Sequence, residues 1–473
     1  MKANINIYSS IAITLLNSLT FFILYKIILL NLGIEQLGLW AIIIGFTSIL
    51  SQSTAAVNTN IIREVAEADE FSFQSKAARL MMNGLVIYVA FFILLSIIVY
   101  VALAILFKEN FLNYLTLISL NLFAIFINLL STVFSSVLDA RKLNYIKNLF
   151  IGLANILFLT VCFFTIKNYA LIGVAIAQIF QAVFLLVCIL FFVLRKIKIS
   201  FNSKEIDKKN ILLFFRDSWK LQGISLLVLC YEPITKFFLA KYGLTYVAKY
   251  EIANKIIAQL RNIFAVTNQT LLAYFVNKFT EGKIAFLNYY EKISSRNIEW
   301  SVISSGILII LSPIISLFFL KELDWYFIII FLILLFSNLI NIISITPYFN
   351  FFAQKQYQIP FISHIIIALL NIVFSITLGL LFSGTGVVVA WSVSLLIGSL
   401  YIIYQFNKKE QLDYVFINFS KHINLNFLLL LGSLAVLLLL HQFAFSIIYM
   451  MCVILIITTI YLFRAYKLFQ LND

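Results

Sequence analysis

Apolar residues run through this chain in blocks long enough to cross a bilayer, and polar residues punctuate them at short intervals. A helix needs about 20 mostly apolar residues to span the hydrocarbon, and that length separates the blocks into about fourteen helices. They fall at about 8–30, 37–57, 80–106, 113–137, 148–166, 171–194, 221–241, 248–275, 297–320, 326–350, 359–381, 386–406, 425–441 and 445–463. The first run, from Ile7 to about Leu32, is too long for a signal-peptide core and no small-residue cleavage site follows it. It reads as a retained first span.

Four polar segments interrupt the pattern. Asn58–Arg79 is a polar segment with Arg63, Lys76 and Arg79, Val276–Arg296 reads as a loop with Lys278, Lys283, Lys292 and Arg296, and a loop with Lys408, Lys409 and Lys421 precedes the last two spans. The longest, Arg195–Lys220, ends in an amphipathic pattern: Ile211, Phe215 and Trp219 recur at helical spacing while Lys209, Arg216 and Lys220 take another face. That segment is expected to be a linker between two halves.

The halves match each other. Lys26 pairs with Lys236 and Gly33 with Gly243 at an offset of 210. At 213, Asn128 to Ser131 (NLLS) pairs with Asn341 to Ser344 (NIIS), and Ala140 to Lys142 (ARK) with Ala353 to Lys355 (AQK). Gly173 to Ala177 (GVAIA) pairs with Gly386 to Ala390 (GVVVA) at the same offset. Ordered matches along the whole length of each half are the mark of an internal repeat. Six spans per copy is an even number, so both copies start on the same side and are related by an axis along the membrane normal. The expected fold is therefore an all-α polytopic membrane protein with two six-helix lobes related by a pseudo-two-fold, plus two C-terminal helices. The expected domains are 1–194, a cytoplasmic amphipathic linker 195–220, a second lobe 221–406, and an extra helix pair 407–473.

Composition agrees with the pattern. Of 473 residues, 63% are hydrophobic and 11% charged, and mean hydropathy is +1.03. A soluble domain carries about a quarter charged residues. The net charge of +14 is explained by topology rather than by nucleic acid. Most Lys and Arg lie in loops on one side, whereas the other side holds Lys108, Lys167, Lys241, Lys249 and Lys321. This asymmetry puts both termini in the cytoplasm. The four cysteines, Cys162, Cys188, Cys230 and Cys452, sit in apolar runs without metal-ligand spacing. No metal or cofactor is expected.

A few charges fall inside the spans. Lys26 lies in the first, Glu232 and Lys236 in the seventh beside Pro233, and Glu251, Lys255 and Arg261 in the eighth. Each costs roughly 2.5–3.5 kcal/mol on insertion scales and so faces a partner or a wet path. Glu232–Lys236 and Glu251–Lys255 are at i, i+4, the order that pairs well on a helix. Four cations against two carboxylates leave an excess of positive charge. Lys26, near a helix end, also has the option of snorkelling to the headgroups. The in-span amides, including Asn17, Asn128, Asn155, Gln181, Asn341 and Asn371, are expected to bond between helices. All four prolines, Pro233, Pro313, Pro347 and Pro360, lie in the second copy, where each is able to bend or unwind a span.

Six plus six spans, a basic linker and a trailing pair resemble the multidrug/oligosaccharidyl-lipid/polysaccharide exporter superfamily. Within it the chain looks most like bacterial polysaccharide (O-antigen or capsule) repeat-unit flippases. The turn Leu32 to Trp40 (LGIEQLGLW), the helix ending Asn58 to Glu64 (NTNIIRE), and the glycines Gly173 and Gly386 that open spans carry the likeness. The resemblance implies two lobes around a central cleft in the bacterial inner membrane. It implies a substrate of undecaprenyl-pyrophosphate-linked oligosaccharide moved to the periplasmic leaflet, with a polysaccharide polymerase and a chain-length regulator as partners. Lys26, Lys236, Lys255 and Arg261 would then bind the diphosphate, because Lys supplies a point charge and Arg a planar fork suited to phosphate. Arg63 would meet substrate entering from the cytoplasmic leaflet, and Glu232 and Glu251 are candidates for a coupling proton or sodium ion. A lipid II flippase and a multidrug exporter of the same superfamily remain alternatives. An enzyme such as a polysaccharide polymerase fits less well, because the outside loops are short and no nucleophile, metal or nucleotide motif is present.

Overall fold

The computed structural model describes residues 2–52, 58, 61–62, 64–65, 73–197, 231–412, 424–442 and 447–470. Arg63, Cys230, the amphipathic linker and the first part of the seventh span lie outside the described residues. Those described are almost entirely α-helical, and the protein is a polytopic membrane protein. A chain in hydrocarbon has no water for its N–H and C=O groups, so helices, which satisfy them internally, carry the spans.

The elements in order are α1 (Lys2–Leu32), α2 (Ile34–Gln52), α3 (Phe73–Phe107), α4 (Phe111–Ala140), α5 (Asn144–Phe192) and α6 (231–240). Then come α7 (Leu244–Thr270), α8 (Leu272–Glu281), α9 (Lys283–Leu320), α10 (Trp325–Ala353), α11 (Gln358–Glu410), α12 (Asn424–Gln442) and α13 (Ile447–Gln470). Where they are described, the expected spans coincide with a helix or with one limb of a helix, except that the eighth, 248–275, is divided at Leu271 between α7 and α8; the second, seventh and fourteenth lie partly outside the described residues. Among the described residues, seven helices are long and apolar enough to cross a membrane by themselves, and α2, α12 and α13 contain shorter apolar stretches.

α5 and α11 are each two limbs. Ala170 (φ 48°, ψ −133°) breaks the first, and Phe382 with Ser383 (φ 54°, ψ −139°) breaks the second. Residues eight apart in a straight helix stand about 12 Å apart. Here Thr165 Oγ1 donates to Gly173 O at 2.9 Å, and a Cβ on Gly173 would stand 2.6 Å from Thr165 O. In α11 a Cβ on Gly386 would stand 1.9 Å from Leu378 O. The chain therefore reverses at both breaks, and glycine is required where the second limb passes the backbone of the first.

The turns carry the repeat more clearly than the side chains do. Lys108, Lys142 and Ala170 have positive φ, and so do Lys321, Lys355 and Ser383, each 213 residues later. The ends of α4 and α10 share their bonds one for one. Leu143 N donates to Leu138 O and Gln356 N to Phe351 O, both at 2.8 Å, while Lys142 N and Lys355 N each donate three residues back at 3.0 Å. Both are helix terminations closed by a left-handed residue.

Contacts divide the chain into two compact units, Met1–Ala240 and Lys241–Asp473. In the first, α5 packs on α4 and α1. Asn6 of α1 bridges the α4–α5 turn, donating to Lys142 O at 2.9 Å and accepting from Tyr145 N at 3.1 Å. Higher up, Asn155 donates to Asn17 at 2.6 Å and accepts from Gln181 at 2.7 Å. The helix 231–240 groups with this unit by contact, although the repeat makes it the opening helix of the second copy.

In the second unit α10 packs on α11, α7 and α9. Asn297 of α9 donates to Asn268 of α7 at 3.1 Å and to Thr346 of α10 at 2.8 Å. The C-terminal pair docks on α9: Tyr461 is fully buried, lies over Gly306 and bonds Ser433 of α12 at 2.8 Å. Asp324 caps α10 by accepting from Phe327 N at 2.9 Å, and it pairs with Lys249 of α7.

Two sequence expectations are corrected. Val276–Arg296 is not an open loop. It holds the end of the amphipathic helix α8, a break at Gly282 and the first turns of α9, because helix formation continues past the apolar stretch into the polar flank. Nor do Pro313 and Pro347 unwind their helices, since α9 and α10 run on through them. Pro313 lacks the N–H that would bond Ile309 O, and Ser312 Oγ supplies that bond instead at 2.7 Å. Pro360 sits in the first turn of α11, where no intrahelical N–H is needed.

The tight reversals predict an ordered pair of effects. Gly386→Ala meets backbone at shorter range than Gly173→Ala, and should cost about 2–3 kcal/mol against about 1. Thermal melts of purified protein in detergent test this, and equal midpoints for both variants and the parent would contradict the close backbone approach.

Candidate functional site

The in-span charges are arranged differently in the two units. In the first, Lys26 sits half-buried on α1. Lys236, on α6, is wholly buried. Its Nζ donates to Glu232 Oε1 at 2.5 Å and to the Ala41 carbonyl of α2 at 2.9 Å. The bond to Ala41 is possible because of Gly45. A helical carbonyl has a second lone pair beyond the one used by the N–H four residues on. A Cβ on Gly45 would stand 3.0 Å from Lys236 Cδ and 3.2 Å from Nζ, so the bare backbone there is what admits the ammonium. The Glu232 side chain is 29% exposed, so the pair leads from a dry interior to a wetter margin.

In the second unit α7 carries Glu251, Lys255 and Arg261, beyond Lys249 near its start. Glu251 is fully buried, and its Oε1 lies 3.7 Å from Lys255 Nζ, whose side chain is 23% exposed. Both expected i, i+4 pairs are thus formed. Arg261 is six residues beyond Lys255, about 9 Å along the helix and about 120° around it. The two cations therefore address different flanks of α7. Arg261 turns toward α10 and α11, where its Nε donates to Asn341 Oδ1 at 2.5 Å. Asn341 Nδ2 in turn donates to Ser399 Oγ at 2.9 Å. On α10 and α11 respectively, Tyr348 and the buried His364 meet at 3.3 Å.

Each unit thus brings its own charges to partners, and Arg63 lies outside the described residues. Among the described residues no three metal-ligating side chains come together. Asp139 and Arg141, at the foot of α4, have structural partners: Asp139 pairs with Lys147 at 2.6 Å, and Arg141 lies 3.5 Å over the ring of Phe73. His364 and His441 pack among aromatic rings, His441 against Trp325 at 4.4 Å.

Sequence reasoning did not single out Ala41, Gly45, Ser399 or Tyr348. Ala41 acts through its backbone, and Ser399 is one of several serines in α11, so neither carries a signal. Gly45 carried one, as a lone glycine inside an apolar span. Asn341 was visible through its match to Asn128, but its partner was not.

The fold is shared with transporters of known structure. A lipid II flippase, MurJ, in an inward closed conformation aligns over 98% of each chain at 18% identity, with a TM-score of 0.72. An inward-facing multidrug resistance MATE family transporter aligns over 84% of this chain and 96% of its own, at 13% identity and a TM-score of 0.67. A superfamily transporter from Pyrococcus furiosus, whose binding pocket is described as having reverse polarity, aligns over 86% and 93% at 12% identity and a TM-score of 0.58. No family profile matches the sequence, and no curated protein matches it.

The buried lysine supplies a test of the first unit. Removing one member of a buried pair leaves an uncompensated charge, and the partial exposure of Glu232 brings that cost to about 2 kcal/mol. Glu232→Gln should lower the melting midpoint, and adding Lys236→Met should restore most of it. A double variant no more stable than the single would show that the pair does not hold Lys236.

Proposed function

We propose that this protein is a flippase for a lipid-linked oligosaccharide, and that its substrate carries a diphosphate. The observation that carries the reading is the unbalanced set of cations within the spans of a transporter fold: Lys26, Lys236, Lys255 and Arg261 against Glu232 and Glu251. A diphosphate entering a bilayer needs such counter-charge, whereas an organic cation needs carboxylates. Full-length similarity to a structure described as a lipid II flippase supports the same class.

In this reading Arg261 supplies a planar fork on one flank of α7 and Lys255 a point charge on another. In the first unit Lys236 meets phosphate by exchanging its bond to Ala41. Lys26 and Arg63 attract the substrate headgroup, and Glu232 and Glu251 are the candidates for ion coupling. The substrate class is undecaprenyl-pyrophosphate-linked repeat units for O-antigen or other surface polysaccharide. The site is the bacterial inner membrane, with both termini cytoplasmic and a polymerase and a chain-length regulator acting downstream. Lipid II is the second substrate, because it shares the diphosphate.

Proteoliposomes test the class directly. The protein should move a fluorescent undecaprenyl-diphosphate oligosaccharide between leaflets, and Arg261→Ala should slow it by about tenfold, the loss of one charge-assisted contact. Movement no faster than in empty liposomes, together with efflux of an organic cation, would replace the reading with a multidrug exporter.

A further inference from the structure

The second unit holds Arg261 through a directed chain of hydrogen bonds that begins on a helix backbone. Ser399 Oγ donates to Leu395 O at 2.7 Å. A carbonyl accepts and cannot donate, and a serine hydroxyl has one proton. With that proton committed, Ser399 Oγ meets Asn341 as an acceptor. Asn341 must therefore turn its Nδ2 toward Ser399, at 2.9 Å, and its Oδ1 the other way. Oδ1 then accepts from Arg261 Nε at 2.5 Å. Every direction in the chain follows from the first. Asn341 is 8% exposed and Ser399 fully buried, so water does not compete to turn the amide round.

The bond takes one of the five donors of a guanidinium, the one on the stem side. It fixes the plane of the group and leaves to other partners the Nη edge, which pairs with phosphate two bonds at a time. The repeat supplies a control within the same chain. Asn128 occupies the position of Asn341, and Ser131 and Ser344 close the same local bonds, to Asn128 O at 2.6 Å and to Asn341 O at 2.7 Å. The counterpart of Ser399 is Leu186, however, and that of Arg261 is Ser48 or Ser51 at the two offsets. Asn128 is exposed. The asparagine is thus common to both copies. In the first, Asn128 Oδ1 accepts from Ser131 Oγ at 3.2 Å, whereas the second sets Asn341 between Ser399, which accepts from its Nδ2, and Arg261, which donates to its Oδ1.

We propose that Asn341, oriented by Ser399, is a positioning residue that presents the Arg261 fork edge-on to a diphosphate and so discriminates a diphosphate from a monophosphate. The inference rests on the reading of Arg261 as an anion-binding group. It names a specificity determinant inside one unit, on α7, α10 and α11.

The experiment measures dissociation constants of the full chain in nanodiscs for geranylgeranyl diphosphate and geranylgeranyl monophosphate. Asn341→Leu should weaken diphosphate binding by about tenfold and monophosphate binding by less than about threefold, collapsing the ratio. In an Arg261→Lys background, which lacks the Nε–H, Asn341→Leu should have no further effect, as a double-mutant cycle requires of a coupled pair. If Asn341→Leu fails to fold, Ser399→Ala carries the same test, with the ratio falling about threefold and Ser399→Thr restoring it. A side chain that only packs helices would lower the melting temperature and leave the ratio intact, and that result overturns the inference. Full diphosphate affinity in Arg261→Ala removes both the anion-binding reading and the inference. Weak binding in Arg261→Ala with an unchanged ratio in Asn341→Leu and Ser399→Ala removes the inference alone.

Discussion

Polar groups held inside hydrocarbon must satisfy one another, and this protein is arranged around that demand. The backbone meets it by remaining helical, even through Pro313, where Ser312 supplies the missing donor. Side chains meet it in pairs: Asn17 with Asn155, Asn297 with Asn268 and Thr346, Lys236 with Glu232 and Ala41. A hydrogen bond that is worth little in water becomes decisive where the alternative is an unpaired group in a dry interior. The same demand makes the charged residues informative, because each one that persists has a partner or a path to water.

The two copies of the repeat show which features this demand preserves. Turns are shared almost atom for atom, from Lys142 and Lys355 to Ala170 and Ser383. Charges are not. At an offset of 210, Ala41 and Gly45 on α2 correspond to Glu251 and Lys255 on α7. α2 leaves its backbone bare there and accepts a lysine from α6, whereas α7 carries its own ion pair at the same two positions. One scaffold thus holds two different electrostatic arrangements. The helix ends that fix its geometry depend on backbone conformation, and the faces in between are open to change.

Much of this was legible in the sequence. The helices followed from block length, since hydrocarbon thickness admits few alternatives, and the i, i+4 pairs Glu232–Lys236 and Glu251–Lys255 followed from helical spacing. Gly173 and Gly386 were visible as matched glycines, though their reason, contact with Thr165 O and Leu378 O across a reversal, was not. The expected loop at 276–296 failed because polar residues that leave the membrane need not leave the helix.

By itself, then, the sequence determined what is local and periodic: the spans, their repeat, the charges within them and the pairs one helical turn apart. These depend on rise per residue and on transfer cost, which act along the chain. Only the tertiary structure decided which residues meet across helices: Lys236 with the bare carbonyl at Ala41, and Arg261 with Asn341 and Ser399. Such contacts depend on how helices rotate and approach, and nothing in the spacing of residues along a single strand of sequence encodes that.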